Sequence, residues 1–240
     1  MRAMNRRRAL AACVCAAALV PLGGCARIPT AGPAQSASAS TRSTIGPGAG
    51  SPGGSGPVVA DGHGWTDAGL EGTVPAPNSC HYRTAADGAQ LPDPACDPGS
   101  TDSAVTDGNV DSTLGRSGGY TSSVRPPAAL TDTAKKKILA AYGVPASQSS
   151  EYELDHLVPL CAGGASSLAN LWPESNVFLP GMGSETSTVH NSKDQVEDYV
   201  CQAIREHRVL LSAAQKAFAT DWTIAVQALG LPPIPDNHKG

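Results

Sequence analysis

A long stretch that cannot form a core is the feature that most limits what this chain can fold into. Residues 25–79 contain 11 Gly, 7 Pro and 7 Ser, so 25 of these 55 positions are residues typical of linkers. A segment with so little apolar surface cannot offset the entropy that its backbone loses on ordering. We therefore interpret 25–79 as a flexible, disordered linker, which leaves 80–240 as one folded domain.

The chain begins like an export signal. Four arginines within the first eight residues precede a short apolar stretch over 9–22, an order typical of a signal peptide, here 1–24. Leu22-Gly23-Gly24-Cys25 resembles the lipobox of bacterial lipoproteins, which implies that Cys25 is the lipidated first residue of the mature chain. The alternative is an ordinary secretory signal with a chance cysteine. Both interpretations predict an extracytoplasmic protein, either lipid-anchored to the outer face of the bacterial cell membrane or secreted.

The cysteines predict two disulfides in the folded part. Two of the seven cysteines fall within the predicted signal and a third is Cys25, so Cys80, Cys96, Cys161 and Cys201 remain. An even number in an exported chain favours disulfides, with three possible connectivities. We favour Cys80–Cys96, which closes a short Pro-rich loop, and Cys161–Cys201, which joins a loop to a helix. Zinc is the alternative, but no C-x-x-C pair is present.

The remaining sequence predicts a small, loop-rich α+β domain. Residue spacing predicts a helix from about Thr131-Asp132 to Gly143, and the run over 152–160 predicts a short strand. Two more helices are expected to begin at Ser192 and Ser212, because each serine is followed three residues later by a glutamine, the capping-box pattern. No apolar run approaches the roughly 20 residues of a membrane-spanning helix, which excludes a polytopic membrane protein.

An aspartate beside a histidine carries the clearest chemistry in the sequence. The carboxylate of Asp155 can bind a hard cation and the imidazole of His156 can accept a proton from water near neutral pH, as a metal-dependent hydrolase requires. Adjacent residues of a regular strand point to opposite faces, so both can serve one site only where the backbone bends. Pro159 and Gly163-Gly164 favour such a bend. The alternative is that His156 is a structural histidine.

The order of motifs around this pair resembles the HNH endonuclease family. E-L-D-H-L-V-P-L at 153–160 is followed by Gly163-Gly164, by N-L-W-P at 170–173, and by Lys193-Asp194-x-x-Glu197 on a predicted helix. These motifs cover about a fifth of the chain. The region from 93 to the end also resembles a group of exported actinobacterial proteins with this domain. The resemblance implies a ββα-metal core at 151–205, in which two strands and a helix hold one metal ion, with flanking helices.

The resemblance also implies roles for three residues of the hairpin. His156 matches the general base that activates the attacking water, and Asp155 matches the metal-binding acidic residue just before it. Asn170 matches the middle asparagine of the family, which fixes the loop and the orientation of the histidine.

The third metal ligand is ambiguous, because His190 and Asn191 stand side by side just before the last motif. Asn191 aligns better to Lys193-Asp194, so it is the first choice and His190 the second. A helix N-terminus at this place favours phosphate oxygens, and Lys193 is expected to neutralise charge that develops on the scissile phosphate. The implied cofactor is a divalent ion, Mg²⁺ or Mn²⁺, with Zn²⁺ and Ni²⁺ as alternatives.

The net charge opposes strong binding of nucleic acid. From residue 76 onward the chain has 11 Lys plus Arg and 18 Asp plus Glu, a net charge of −7. Because phosphate contacts supply most non-specific affinity for DNA, we expect weak binding through a local cluster. That cluster consists of Arg125, Lys135, Lys136, Lys137 and Lys193.

The sequence therefore predicts a monomeric, exported, metal-dependent endonuclease that hydrolyses phosphodiester bonds of DNA, with RNA as an alternative substrate. The second hypothesis is an HNH scaffold that has lost activity and serves as a binding or interaction lipoprotein of the cell envelope. Asp155, His156 and Asn170 favour the enzyme. The acidic charge and the ambiguous third ligand favour the alternative.

Overall fold

The structure, a computed structural model, describes residues 58–60, 62–184, 186 and 189–235. The predicted signal peptide at 1–24, the lipidation candidate Cys25 and the predicted linker up to residue 57 lie outside these residues. The described part is a mixture of α and β structure, as predicted, with short strands first and most helices later.

Eight strands form four two-stranded sheets among the described residues. The strands are Val58–Ala60 (β1), Trp65–Thr66 (β2), Gly69–Leu70 (β3), Arg83–Thr84 (β4), Gln90–Leu91 (β5), Ser100–Asp102 (β6), Tyr152–His156 (β7) and Leu171–Ser175 (β8). The α-helices are Tyr120–Val124 (α1), Ala128–Ala141 (α2), Ser192–Arg205 (α3), Leu211–Asp221 (α4) and Ala225–Ala228 (α5). No helix in this part of the chain is both long and apolar enough to cross a membrane.

The folded part begins before residue 80. β1 pairs in parallel with β6, the indole Nε1 of Trp65 donates to the carbonyl of Val124 at 2.7 Å, and Ser166 N donates to the carbonyl of His63 at 2.7 Å. The predicted linker boundary at residue 79 is therefore too late. Residues 62–79 are rich in Gly and Pro, but their backbone groups pair with segments far along the chain.

The two disulfides are the predicted pairs, Cys80–Cys96 and Cys161–Cys201. The first closes the loop that leads into β6, and the second joins a 3₁₀ turn after β7 to the middle of α3. The predicted connectivity is thus confirmed. Two disulfides indicate an extracytoplasmic protein, because reducing compartments do not preserve them.

The hairpin of β7 and β8 is the centre of the domain. The two strands pair antiparallel, with His156 opposite Leu171 at the loop end. β7 ends at His156, earlier than the predicted end at 160, and a 3₁₀ turn over Leu160–Ala162 follows. Gly164 then passes so close to the chain that an added Cβ would lie 1.7 Å from the carbonyl oxygen of Val158, so only glycine fits.

Two apolar clusters hold this hairpin between them. Val158 and Leu160, in the loop after β7, pack with the apolar faces of α3 and α4 in the larger cluster. Leu171 of β8 packs with α2 and Cys80 in the smaller one. The loop between β7 and β8 and the start of α3 are therefore fixed from both sides.

The helix starts differ from the predicted capping boxes. Asn191, not Ser192, caps α3, and its Oδ1 accepts from the backbone N–H groups of Lys193 and Asp194. The hydroxyl of Ser192 instead accepts from Leu179 N at 2.7 Å. Ser212 lies inside α4 and donates to Asp107 at 2.6 Å. Both serines thus bond to distant segments and do not form the predicted capping boxes. α2 begins three residues before its predicted start.

Candidate active site

A polar cleft of about 600 Å³ opens beside the loop end of β7. It is lined by Thr121, Arg125, Glu153, Leu154, Asp155, His156, Pro159, Leu160, Cys161, His190, Asp194, Glu197 and Asp198. Asp155 and His156 both reach this cleft although they are neighbours in a strand, because His156 is the last residue of β7. Five carboxyl groups and two imidazoles thus meet in one concave surface.

His156 is a neutral, oriented imidazole at the wall of this cleft. The residue is 7% exposed, and its Nε2 forms a hydrogen bond of 2.8 Å with the hydroxyl of Ser166. Burial lowers the pKa of His156 to about 4, and the positive charges of Arg125 and Lys193 add to that effect while Asp155 opposes it. Among the described residues, Nδ1 has no hydrogen-bond partner. The ring is therefore unprotonated at neutral pH and able to accept a proton.

Lys193 lies beneath the site and holds it together. Its side chain is 0% exposed, and its ammonium group pairs with Asp155 at 2.6 Å and with Glu197 one turn along α3. The same group donates to the backbone carbonyl of His156 at 2.9 Å. One cation therefore links the first turns of α3 to both residues of the Asp-His pair.

This arrangement corrects the role expected of Lys193. A lysine with no exposed surface and three oxygen partners cannot also contact a phosphate in the cleft. Burial alone would lower the pKa of Lys193, but Asp155 and Glu197 outweigh burial and raise it. Lys193 is therefore a permanently charged positioning residue rather than a direct contact to substrate.

Asp155 is held charged by its neighbours. Burial alone would raise the pKa of Asp155, but the ammonium of Lys193 outweighs it and lowers that pKa. Its Oδ2 also accepts from the indole Nε1 of Trp172, the residue directly opposite on β8, at 3.3 Å. Trp172 itself is 0% exposed, as expected of a core residue rather than a stacking platform.

Asn170 clamps the loop between the two strands. Its Oδ1 accepts from Val158 N at 2.9 Å and from Ser100 N at 3.2 Å. Its Nδ2 donates to the carbonyls of Val158 at 2.9 Å and Ala165 at 2.8 Å. The side chain is 0% exposed and does not line the cleft, so it fixes the backbone that follows His156.

The two candidates for the third ligand differ in exposure. Asn191 is 1% exposed; its Oδ1 caps α3 and its Nδ2 donates to Glu153. His190 is exposed and lines the cleft, and its backbone N–H donates to Asp194 at 2.7 Å. The structure therefore gives Asn191 the role of helix cap and leaves the His190 side chain facing the cleft.

Three further carboxyl groups in or beside the cleft have raised pKa values. Burial and the charge of Asp155 raise the pKa of Glu153 to about 7, and burial raises that of Glu197 to about 8 although Lys193 opposes the shift. Glu174 lies directly opposite Glu153 across the hairpin, and burial and Asp155 raise its pKa well above the usual range. Lys193 alone does not balance this negative charge.

The donor chemistry of the cleft suits a hard divalent cation, because carboxylate oxygens and imidazole nitrogens are ligands that such ions accept. Within the described ranges, however, no three His, Cys, Asp or Glu side chains converge closely enough to hold an ion. Asp155 is turned toward Lys193 and Trp172. A bound cation would therefore require small side-chain movements at the cleft wall.

Several residues of this site were not predicted from the sequence. Ser166, Glu174 and Asp198 lie outside the motifs that the sequence analysis identified. Glu153 and Asp155 are two residues apart on β7 and therefore lie on one face of the strand. This spacing could have predicted an acidic face. The partners on β8 could not be found without the strand register.

No protein-family model, curated protein or solved structure matches this chain.

Proposed function

We propose that the protein is an exported, metal-dependent endonuclease of the HNH type, which hydrolyses phosphodiester bonds of DNA. The single observation that carries this proposal is the neutral imidazole of His156 at the wall of an acidic cleft. Its pKa of about 4 leaves it unprotonated at neutral pH, and its Nε2 is fixed by Ser166. A general base needs such a free, oriented nitrogen within reach of water.

In this proposal His156 takes a proton from the attacking water. When Nε2–H donates to the hydroxyl of Ser166, the lone pair lies on Nδ1, which has no partner among the described residues. Asn170 holds the loop after His156, and Lys193 binds its carbonyl from below. The imidazole thus needs little reorganisation to act.

Asp155 and His190 are the residues proposed to hold a divalent cation, Mg²⁺ or Mn²⁺, with Zn²⁺ and Ni²⁺ as alternatives. Asn191, the sequence-based first choice, is replaced by His190 because its oxygen caps α3. The cation would supply positive charge to the phosphate and to the leaving oxygen. The five carboxyl groups that line the cleft support a cation here, because they supply the oxygen ligands that a hard divalent ion accepts.

The hairpin β7–β8 and α3 are proposed to form the ββα-metal core. Lys193 on the first turn of α3 contacts Asp155 on β7, and Asn191 at the cap of the helix contacts Glu153 on the same strand. These contacts hold the helix start against the strand that carries the Asp-His pair. The fold and the proposed ligands therefore depend on the same few side chains.

An inactive envelope-binding lipoprotein is the second candidate. It is favoured by the engagement of Asp155 with Lys193 and Trp172 and by the lack of converged ligands in the described residues. In either case Cys25 is proposed as the lipid anchor on the outer face of the cell membrane, and the protein as a monomer.

Metal dependence separates the two candidates. The purified protein is incubated with supercoiled plasmid DNA and, separately, with RNA, in Mg²⁺, in Mn²⁺ and in EDTA. The proposed function predicts nicked and linear plasmid with a metal and none in EDTA. An intact plasmid under every metal condition favours the inactive scaffold and contradicts the nuclease.

A further inference from the structure

The basic residues of the described chain differ in burial and in the polar partners that they already have. Ten lysines and arginines lie within the described residues. Lys193 is buried, Arg208 pairs with Glu206 at 2.7 Å, and the guanidinium of Arg83 donates to two backbone carbonyls. Four of the ten fall together at 125–137, between the end of α1 and the last turns of α2.

Two of these four line a second groove that joins the candidate active site. This groove has a volume of about 320 Å³, and Arg125, Lys135 and Thr131 lie on its wall. Arg125, Glu153, Leu154 and His156 line both this groove and the acidic cleft. His156 therefore lies where the two cavities meet.

Arg125 and Lys135 are free to bind an anion. Neither side chain has an ion-pair or hydrogen-bond partner within the described ranges. Asp132 and Glu153 also line the groove.

The start of α2 adds backbone donors to the same groove. Ala128, the first residue of this 14-residue helix, lines the groove, and the helix has Pro127 at its N-cap with no side-chain cap. Uncapped N–H groups at a helix N-terminus bind phosphate oxygens. Pro126 and Pro127 restrict the backbone between Arg125 and the helix, so the two kinds of donor are held at a fixed separation.

We propose that this groove binds the phosphate of the nucleotide adjacent to the scissile one, with Arg125 and Lys135 as its two charged contacts. The inference rests on the proposed nuclease function and specifies how its substrate lies. The cleft holds Arg125 but not Lys135, whereas the groove holds both cations, so the phosphate is placed on the groove side of His156. The contacts are to phosphate, so binding is independent of base sequence.

The test compares two double variants with equal loss of charge. Arg125→Ala with Lys135→Ala removes both charged groups of the groove, whereas Lys136→Ala with Lys137→Ala removes two charges of α2 outside this groove. Both are made in a His156→Ala background, and binding of a short fluorescent DNA duplex is followed by anisotropy in EDTA over a range of salt. Cleavage is measured separately, with each double variant in the otherwise wild-type protein and a metal ion.

Removal of Arg125 and Lys135 should weaken binding and make log Kd depend less steeply on log salt. The slope should fall by about 0.9 for each phosphate that the protein no longer neutralises, so by about 0.9 for the one phosphate that the groove binds. The control pair should keep the parent slope. In the cleavage assay the groove pair should raise KM, and the control pair should keep the parent KM.

Equal slopes for the two double variants, or no DNA binding by the parent at any salt, would overturn the inference. A difference in slope without any cleavage by the wild type would leave the phosphate groove standing and refute the proposed nuclease. If the wild type cleaves DNA but the two double variants bind DNA equally well, the proposed nuclease stands and the phosphate groove is refuted.

Discussion

Replacing the buried Lys193 by methionine should strongly destabilise the domain. The side chain is 0% exposed and neutralises Asp155 and Glu197, while methionine fills a similar volume without charge. Removing one partner of a buried ion pair costs about 3–5 kcal/mol, because a carboxylate is left buried and uncompensated. A domain of this size has a total stability of about 5–15 kcal/mol. At about 2–4 °C per kcal/mol, Tm should fall by roughly 6–20 °C.

The assay is urea unfolding in EDTA near neutral pH, with thermal unfolding as a second readout. Lys216→Met on the exposed face of α4 is the matched control, and it should change stability by no more than about 0.5 kcal/mol. The loss of stability in Lys193→Met should shrink in acid, where Asp155, the partner that Lys193 holds charged, becomes protonated. Equal midpoints for Lys193→Met and Lys216→Met would refute the electrostatic role of Lys193.

Three further outcomes are expected from unfolding measurements. Asn170→Ala should cost about 2–4 kcal/mol, because it leaves buried backbone groups without the partners that Asn170 supplies; a cost below about 1 kcal/mol would contradict the loop clamp. Converting Cys161 and Cys201 to alanine should cost about 4 kcal/mol, since the bridge closes a loop with a sequence separation of 40; an unchanged midpoint would contradict this. Glu153 and Glu197 have folded pKa values of about 7 and 8 against an ordinary 4.5, so the folded chain binds more protons between these values and stability should fall as pH rises from about 5 to 8. Glu197→Gln should flatten that slope, and a stability that rises over this range would contradict the assignment.

The disulfide pairing and the α+β class could be predicted because they depend on local or combinatorial features. Four cysteines allow only three pairings, and loop length favoured Cys80 with Cys96. The order of the D-H, Gly-Gly and N-L-W-P motifs placed the hairpin and its loop. These features are readable along the chain without knowing how distant segments meet.

The roles of Lys193 and Asn191 could not be predicted in the same way. Sequence spacing favoured Ser192 as the helix cap, but its hydroxyl accepts from Leu179 N and Asn191 caps the helix instead. The burial of Lys193 depends on how α3 docks on β7, which no local pattern specifies. At each of these positions, contacts with distant parts of the chain determined the structure, and the local sequence pattern did not.

The early part of the fold was missed for a related reason. β1 pairs with β6, about 40 residues later, and the indole of Trp65 bonds to the end of α1. A Gly- and Pro-rich composition is typical of linkers, but it also suits tight backbone turns whose hydrogen bonds lie elsewhere. Non-local pairing of this kind leaves no periodic signal in the sequence.

The most direct test of the central claim is the single-turnover rate of DNA cleavage by His156→Ala against wild type, with saturating Mn²⁺. General-base catalysis contributes about 10²–10⁴-fold, so the variant should be slower by that factor while its affinity for DNA stays the same. Circular dichroism and the urea midpoint establish that the variant is folded. Equal rates for the two proteins would contradict the assignment of His156 as the base.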